Sequence, residues 1–105
     1  MPRQADDTSL LALFDVLGQR WALRVLWELR SGGMTYRELA ARIPGMSTSV
    51  LTQRLRDLRA ARLVDHMHGI GYRVTAQGED LLRLLAPLRQ WAERAEFAAE
   101  PPSQG

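Results

Sequence analysis

A chain of 105 residues has room for one domain and one core. Its 46% apolar and 25% charged residues are ordinary for a globular protein, and the absence of Cys excludes disulfides, thiolate metal sites and thiol redox switching. No apolar run reaches the ~20 residues of a membrane span, and the polar start, Met1 to Thr8, has no signal-peptide core, so a cytoplasmic location without membrane attachment is expected. The formal charge is only +2, yet it is unevenly placed: every basic residue is Arg, and Thr35–Arg62 holds Arg37, Arg42, Arg54, Arg56, Arg59 and Arg62 against Glu38 and Asp57 alone. A basic segment in a mildly acidic chain fits a polyanion-binding face or a solvated surface equally well.

Asp7, Thr8 and Ser9 are N-cap types ahead of Leu10, Leu11, Leu13, Phe14 and Leu17, a helical spacing that Gly18 is placed to end. Trp21–Arg30 reads as a second helix with Ala22, Val25, Leu26 and Leu29 on one face, stopped by Gly32-Gly33. Beside that stripe, Leu23 and Trp27 form a surplus apolar face that needs a cover. A second copy of the chain is the first reading and a pocket for an unidentified small-molecule effector the second. Thr35-Tyr36-Arg37-Glu38 spells a capping box, with Met34 and Leu39 spaced as a hydrophobic staple, and opens a short helix to about Arg42. Ile43-Pro44-Gly45-Met46 breaks it, and Ser47 caps the next helix, with Met46 and Leu51 again at staple spacing. Along that helix Leu51, Leu55 and Leu58 fall on one side and Ser49, Gln53, Arg56 and Ala60 on the other. Leu63–Met67 and Tyr72–Thr75 read as strands around the turn His68-Gly69-Ile70-Gly71. Thr75 caps a last helix, about Ala76–Phe97, striped by Leu81, Leu84, Leu85, Leu88 and Trp91 and expected to kink at Pro87. Glu100–Gly105 reads as a disordered tail, which leaves 1–99 as a single domain.

Helix, helix, helix, turn, helix, hairpin, helix is the order of a mainly α winged helix-turn-helix domain. The residues also resemble the HxlR-type branch of the MarR-like transcriptional regulators. The matching stretches are Gly18-Gln19-Arg20-Trp21, Thr35-Tyr36-Arg37-Glu38-Leu39, Ile43-Pro44-Gly45-Met46-Ser47, Leu51-Thr52-Gln53-Arg54-Leu55-Arg56-Asp57-Leu58, Leu63-Val64, Tyr72-Arg73-Val74-Thr75-Ala76-Gln77-Gly78 and Trp91, in family order over about Leu13–Ala92. The resemblance implies a homodimer that binds operator DNA and controls nearby genes, usually as a repressor. Ser47–Arg59 would be the recognition helix, the hairpin the wing, and the first and last helices the dimer interface. The candidate interface residues are then Leu10, Leu13, Phe14, Leu17, Leu84, Leu88 and Trp91, together with Leu23 and Trp27. The chain departs from the family in its short hairpin and in lacking the N-terminal Cys with which many members sense electrophiles or oxidants.

A recognition helix enters the major groove N-terminus first, so Ser47, Thr48 and Ser49 meet base edges or phosphates. Gln53 can pair bidentately with adenine and Arg56 with guanine or a phosphate, with Thr52 and Arg54 flanking them. Thr35, Tyr36 and Arg37 stand where the preceding helix begins, and its free N–H groups and dipole favour a phosphate. On the wing, beside His68, Arg73 either reaches a phosphate or a narrow minor groove, or pairs with Asp65 across the hairpin; the two readings stand level. His66 and His68 alternate along one strand, but without Cys or a third ligand no metal or other cofactor is expected.

No catalytic constellation emerges, so the chain is not expected to be an enzyme. Asp6-Asp7 and Glu79-Asp80 lie near helix starts, where acids favour the dipole, and there is no glycine-rich phosphate loop. The alternative to a DNA-binding regulator is a winged-helix module for protein assembly, built on Leu23, Trp27 and the terminal helices, with incidental DNA affinity. A purely electrostatic, non-specific binder fits poorly with a net charge of +2.

Overall fold

The computed structural model describes residues 6–97; the segments 1–5 and 98–105, with the expected tail, lie outside them. The first helix, α1, spans Thr8–Leu17. Asp7 holds the N-cap position without a side-chain bond, and Oδ1 of Asp6 accepts the Thr8 N–H at 2.9 Å instead, which lowers the Asp6 pKa below the ordinary carboxylate value. The expected Trp21–Arg30 helix is shorter at both ends: α2 covers Ala22–Glu28 and tightens into a 3-10 turn at Leu29–Ser31. Trp21 is its N-cap in a left-handed conformation (φ 77°), which costs a non-glycine residue about 1–2 kcal/mol.

Three later helices begin where the cap residues place them. In α3 (Tyr36–Arg42) the box is complete: Thr35 Oγ1 accepts from the Glu38 N–H, and Glu38 Oε1 accepts from the Thr35 N–H at 2.9 Å. α4 (Thr48–Ala60) starts at Ser47, whose Oγ accepts the Val50 N–H, and α5 (Ala76–Arg94) starts at Thr75, whose Oγ1 accepts the Gly78 N–H. The last two helices end alike. Past α4 the Leu63 N–H reaches the Leu58 carbonyl and the Arg62 N–H the Arg59 carbonyl, with Arg62 left-handed at φ 63°, which is a Schellman motif built on Arg in place of Gly. Past α5 the same pair of bonds joins Phe97 to Ala92 and Glu96 to Glu93, so the helix stops three residues short of the expected Phe97. It remains one element through Pro87, whose missing N–H leaves the Arg83 carbonyl without its helical partner.

The core joins the predicted faces of α2 and α4. Val25, Leu26 and Leu29 meet Leu51, Leu55 and Leu58, with Met34, Leu39, Ile43, Leu63 and Val64 closing the cluster. Met34 with Leu39, and Met46 with Leu51, all pack in or against it, as the two staples require. Within the described residues α5 buries only Gly78 and α1 buries none, so the expected stripe of α5 is only partly core: Leu81 packs against the cluster, whereas Leu84 is 75% exposed.

β1 (Val64–Met67) and β2 (Gly71–Val74) pair antiparallel with Met67 opposite Gly71, leaving the three-residue loop His68-Gly69-Ile70 in place of the expected four. The Ile70 N–H donates to the Met67 carbonyl at 3.0 Å, and Gly69 at φ 85° fits the third position of a type II turn. Thr75 caps α5 and so leaves the strand. Sequence reading also missed a third pairing: Met34 and Tyr72 exchange backbone bonds of 2.9 and 2.7 Å and tie the hairpin to the entrance of α3. The resulting fold is a winged helix-turn-helix, mostly helical with one hairpin.

Gly71 is the tight point of this junction. Its φ is 108°, and a Cβ there would lie 2.3 Å from the Met34 carbonyl oxygen, whereas one on Gly69 would meet nothing within 4 Å. Both replacements by Ala are strained by positive φ, but only Gly71→Ala also displaces backbone. We expect Gly71→Ala to cost about 3 kcal/mol and Gly69→Ala about 1 kcal/mol in urea denaturation. Equal losses would show that the Met34 contact is not what fixes the wing.

Candidate nucleic-acid interface

The outward side of α4 follows from its inward side. With about 100° between successive residues, burial of Leu51, Leu55 and Leu58 turns Ser49, Gln53, Arg56 and Ala60 outward, and all four are exposed. Ser47 and Thr48 are exposed at the helix start, where Ser47 Oγ also lies 3.4 Å from Ser49 Oγ. Thr35 and Arg37 are exposed at the start of α3, and His68 and Arg73 on the hairpin. His68 lies in the turn, so it does not continue a strand face with His66, which packs its ring against Tyr72 with centroids 4.7 Å apart. Among the described residues no three His, Cys, Asp or Glu side chains gather in a way that could hold a metal ion.

Three expected contact residues, Tyr36, Thr52 and Arg54, spend their polar groups inside the domain. The Tyr36 hydroxyl lies 2.8 Å from the Thr48 carbonyl and 3.1 Å from Thr52 Oγ1, which itself donates to the Thr48 carbonyl. Tyr36 therefore braces α3 against the first turn of α4, and Thr52 is half-buried in the same cluster. The Arg54 side chain is only 14% exposed: its NH1 group donates to Gln19 Oε1 at 3.1 Å and to Asp57 Oδ2 at 3.3 Å. The signal for this was in the sequence, because Arg54 stands about 60° from the leucine stripe and falls beside the core face. A further brace runs through Glu28, which pairs with Arg24 at 2.8 Å and with Arg42 at 3.4 Å, fastening α2 to the end of α3.

The charges on the outward side are differently disposed. Among the described residues, Arg37, Arg56, Arg59, Arg62 and Arg73 take part in no ion pair. Asp65 stands directly opposite Arg73 in the ladder without pairing to it, so the cross-hairpin reading of Arg73 is not realised. Sequence reading missed Arg20. It is exposed, its guanidinium lies 5.3 Å from the Trp21 ring centroid, and it shares a concavity with Gly45 and Ser47 at the N-terminal end of α4.

Away from this surface, α1 exposes Leu10, Leu11 and Phe14, and α5 exposes Leu84, Leu88 and Trp91, with Phe97 just beyond it. Leu13 and Leu17 are both half-buried, and Leu17 also packs against the domain's own core. Leu23 and Trp27 line a groove of about 450 Å³ between α2 and α5 with Leu85, Leu88 and Ala92. The guanidinium groups of Arg30 and Arg89 stand 4.2 and 5.9 Å from the Trp27 ring. Among the described residues no helix is long and apolar enough to cross a membrane.

Residues 16–99 match the family model described as HxlR-like helix-turn-helix. The chain is similar to the HTH-type transcriptional regulator YkvN of Bacillus subtilis, at 35% identity over 73% of this chain and 70% of that protein. It is also similar to YvaP of the same organism, at 29% identity over 74% and 78%. Among solved structures, quinone-bound YodB of B. subtilis superposes with a TM-score of 0.76 at 25% identity, covering 83% of this chain and 97% of that one.

The Tyr36 brace can be tested without DNA. Replacing Tyr36 by Phe keeps the ring against the core and removes one hydroxyl, so unfolding free energy should fall by about 1 kcal/mol, with the melting temperature lower by roughly 4–8 °C. An unchanged melting temperature would remove the bond between α3 and α4 from the account.

Proposed function

Because the chain belongs to the HxlR-like helix-turn-helix family of transcriptional regulators, we propose that it acts as a repressor that binds a pseudo-palindromic operator as a homodimer, with residues 1–99 as one domain. The observation that carries the DNA-binding part is the outward face of α4. Ser47, Thr48, Ser49, Gln53 and Arg56 occupy the solvent side of a helix whose opposite side is locked in the core. In this reading the N-terminal turn of α4 enters the major groove, Gln53 and Arg56 meet base edges, and Thr35, Arg37 and the wing Arg73 meet phosphates. Arg20 joins the phosphate contacts, because it flanks the end of α4 that enters first. Tyr36, Thr52 and Arg54 hold the helix in position from within.

The apolar faces of α1 and α5 support the second half of the reading. Leu10, Leu11, Phe14, Leu84, Leu88 and Trp91 are too many large apolar side chains to leave in water on the two terminal helices, and a second copy of the chain covers them. Two copies would set their recognition helices in successive major grooves, ~10 bp apart. Any effector works without a thiol, since the chain contains no Cys.

Affinity should fall steeply with salt, because each neutralised phosphate adds about 0.9 to the slope of log K against log salt. Arg37→Ala should lower that slope by about 1 per protomer while leaving sequence preference intact. Gln53→Ala should instead weaken binding to the selected operator by ~1–3 kcal/mol and hardly change binding to random duplex. A flat salt response would favour the assembly-module reading. Sedimentation should give a dimer for the full chain and a monomer for Leu84→Asp; a monomeric parent chain would overturn the interface.

A further inference from the structure

Asp57 is the one acid on α4, and it sits beside the residue proposed to read a base. Its Oδ1 accepts from Gln53 Nε2 at 2.9 Å, and its Oδ2 accepts from the NH1 group of Arg54 at 3.3 Å. That same NH1 group donates to Gln19 Oε1 at 3.1 Å, in the segment between α1 and α2. Both partners of the carboxylate lie on α4, and one of them, Arg54, is itself anchored outside the helix. A carboxylate only accepts hydrogen bonds, so the Gln53 amide must turn its nitrogen towards Asp57. Its carbonyl oxygen and at most one N–H remain free on an exposed side chain.

We propose that Asp57 is a positioning residue that fixes the orientation of the Gln53 amide, so that Gln53 selects a base carrying an exocyclic amino group in the major groove, adenine or cytosine, over guanine or thymine. The inference rests on the reading that α4 enters the major groove. In that groove adenine offers its N6 amino group and cytosine its N4 amino group, whereas guanine shows only the acceptors N7 and O6 and thymine the acceptor O4. With one N–H held by Asp57, the amide presents its oxygen and a single donor: the oxygen accepts from the amino group of adenine or cytosine, whereas on guanine or thymine it faces only acceptors and has no donor to meet. The two oxygens of Asp57 thus serve different sides of the helix, Oδ1 the outward Gln53 and Oδ2 the Arg54 that helix geometry already sets beside the core face.

The test is selection of bound sequences from a random duplex library by the purified full chain and by its Asp57→Asn, Asp57→Ala and Gln53→Ala variants. The parent chain should enrich adenine or cytosine at one position of each half-site, and Gln53→Ala should lose that preference alone. Asp57→Asn adds an amide that can donate to the Gln53 oxygen, and Asp57→Ala removes the acceptor; both should admit guanine or thymine there, with discrimination reduced by about tenfold. A melting curve for each variant confirms that it is folded, and the two replacements are independent enough that one suffices. If Asp57 acted only through its charge, both variants would bind every sequence more tightly and keep the parent preference, which overturns the proposal. A Gln53-dependent preference for guanine or thymine overturns it as well. If the parent chain enriches no motif at all, the operator reading itself fails; an enriched motif that the Asp57 variants leave unchanged defeats only the role of Asp57.

Discussion

The rotational setting of α4 about its own axis is the constraint on which the rest depends. Leu51, Leu55 and Leu58 are at most 2% exposed, facing Val25, Leu26 and Leu29 in the central cluster. Burying one such side chain is worth about 1.5–3 kcal/mol. Turning the helix by one residue, about 100°, would bring leucines into water and polar side chains into the core, at a cost comparable with the whole stability of a small domain. The direction in which Gln53 and Arg56 point is therefore decided by the core and not by anything on the surface. Tyr36 and the Glu28 pairs remove the remaining degrees of freedom: they fix how α3 lies across the first turn of α4 and how α2 holds the end of α3.

What was legible in the sequence was local. Thr35, Ser47 and Thr75 cap the helices they precede, because an N-cap is decided by a side chain and a backbone N–H three residues on. The buried faces of α2 and α4 were readable for the same reason, since periodicity is a property of one helix. What escaped was the meeting of distant segments. Nothing in the residues near Tyr72 announces that its backbone pairs with Met34, and that approach adds to the positive φ a second need for Gly at position 71. The end of α4 falls within a residue of the expected Arg59, but its closing device was not readable: the left-handed residue is Arg62, where a Gly would have been the usual signal.

The candidate site was half legible on the same grounds. Exposure of Ser49, Gln53 and Arg56 follows from helix geometry alone. The inward turn of Tyr36 depends on α3 crossing α4 at one place; that of Arg54 was readable from its angle to the leucine stripe, and only its partner Gln19, from the segment between α1 and α2, was not. Arg20 was passed over because it precedes a helix that carries no proposed contact, and only the fold brings it beside Ser47. The terminal helices show the opposite limit. Their leucines read as one stripe, yet Leu17 and Leu81 pack against the core while Leu10, Leu84 and Leu88 face water, a division that the docking of each helix decides.

On the proposed reading, two tasks fall to two kinds of residue. Holding a phosphate needs charge and reach but little orientation, and the arginines proposed for it, Arg20, Arg37 and Arg73, stand exposed without ion pairs among the described residues. Reading a base needs orientation, because exchanging donor for acceptor exchanges one base for another. Gln53 is an exposed residue of α4 whose amide is held by a neighbour, and that neighbour is itself held by Arg54. The acids within the basic segment fit this division. Glu38 completes a cap and Asp57 fixes an amide, so each negative charge there has a partner inside the domain, and the positive excess faces outward. A chain with a net charge of +2 can present a strongly basic face because its acids are spent on structure where they would otherwise repel the ligand.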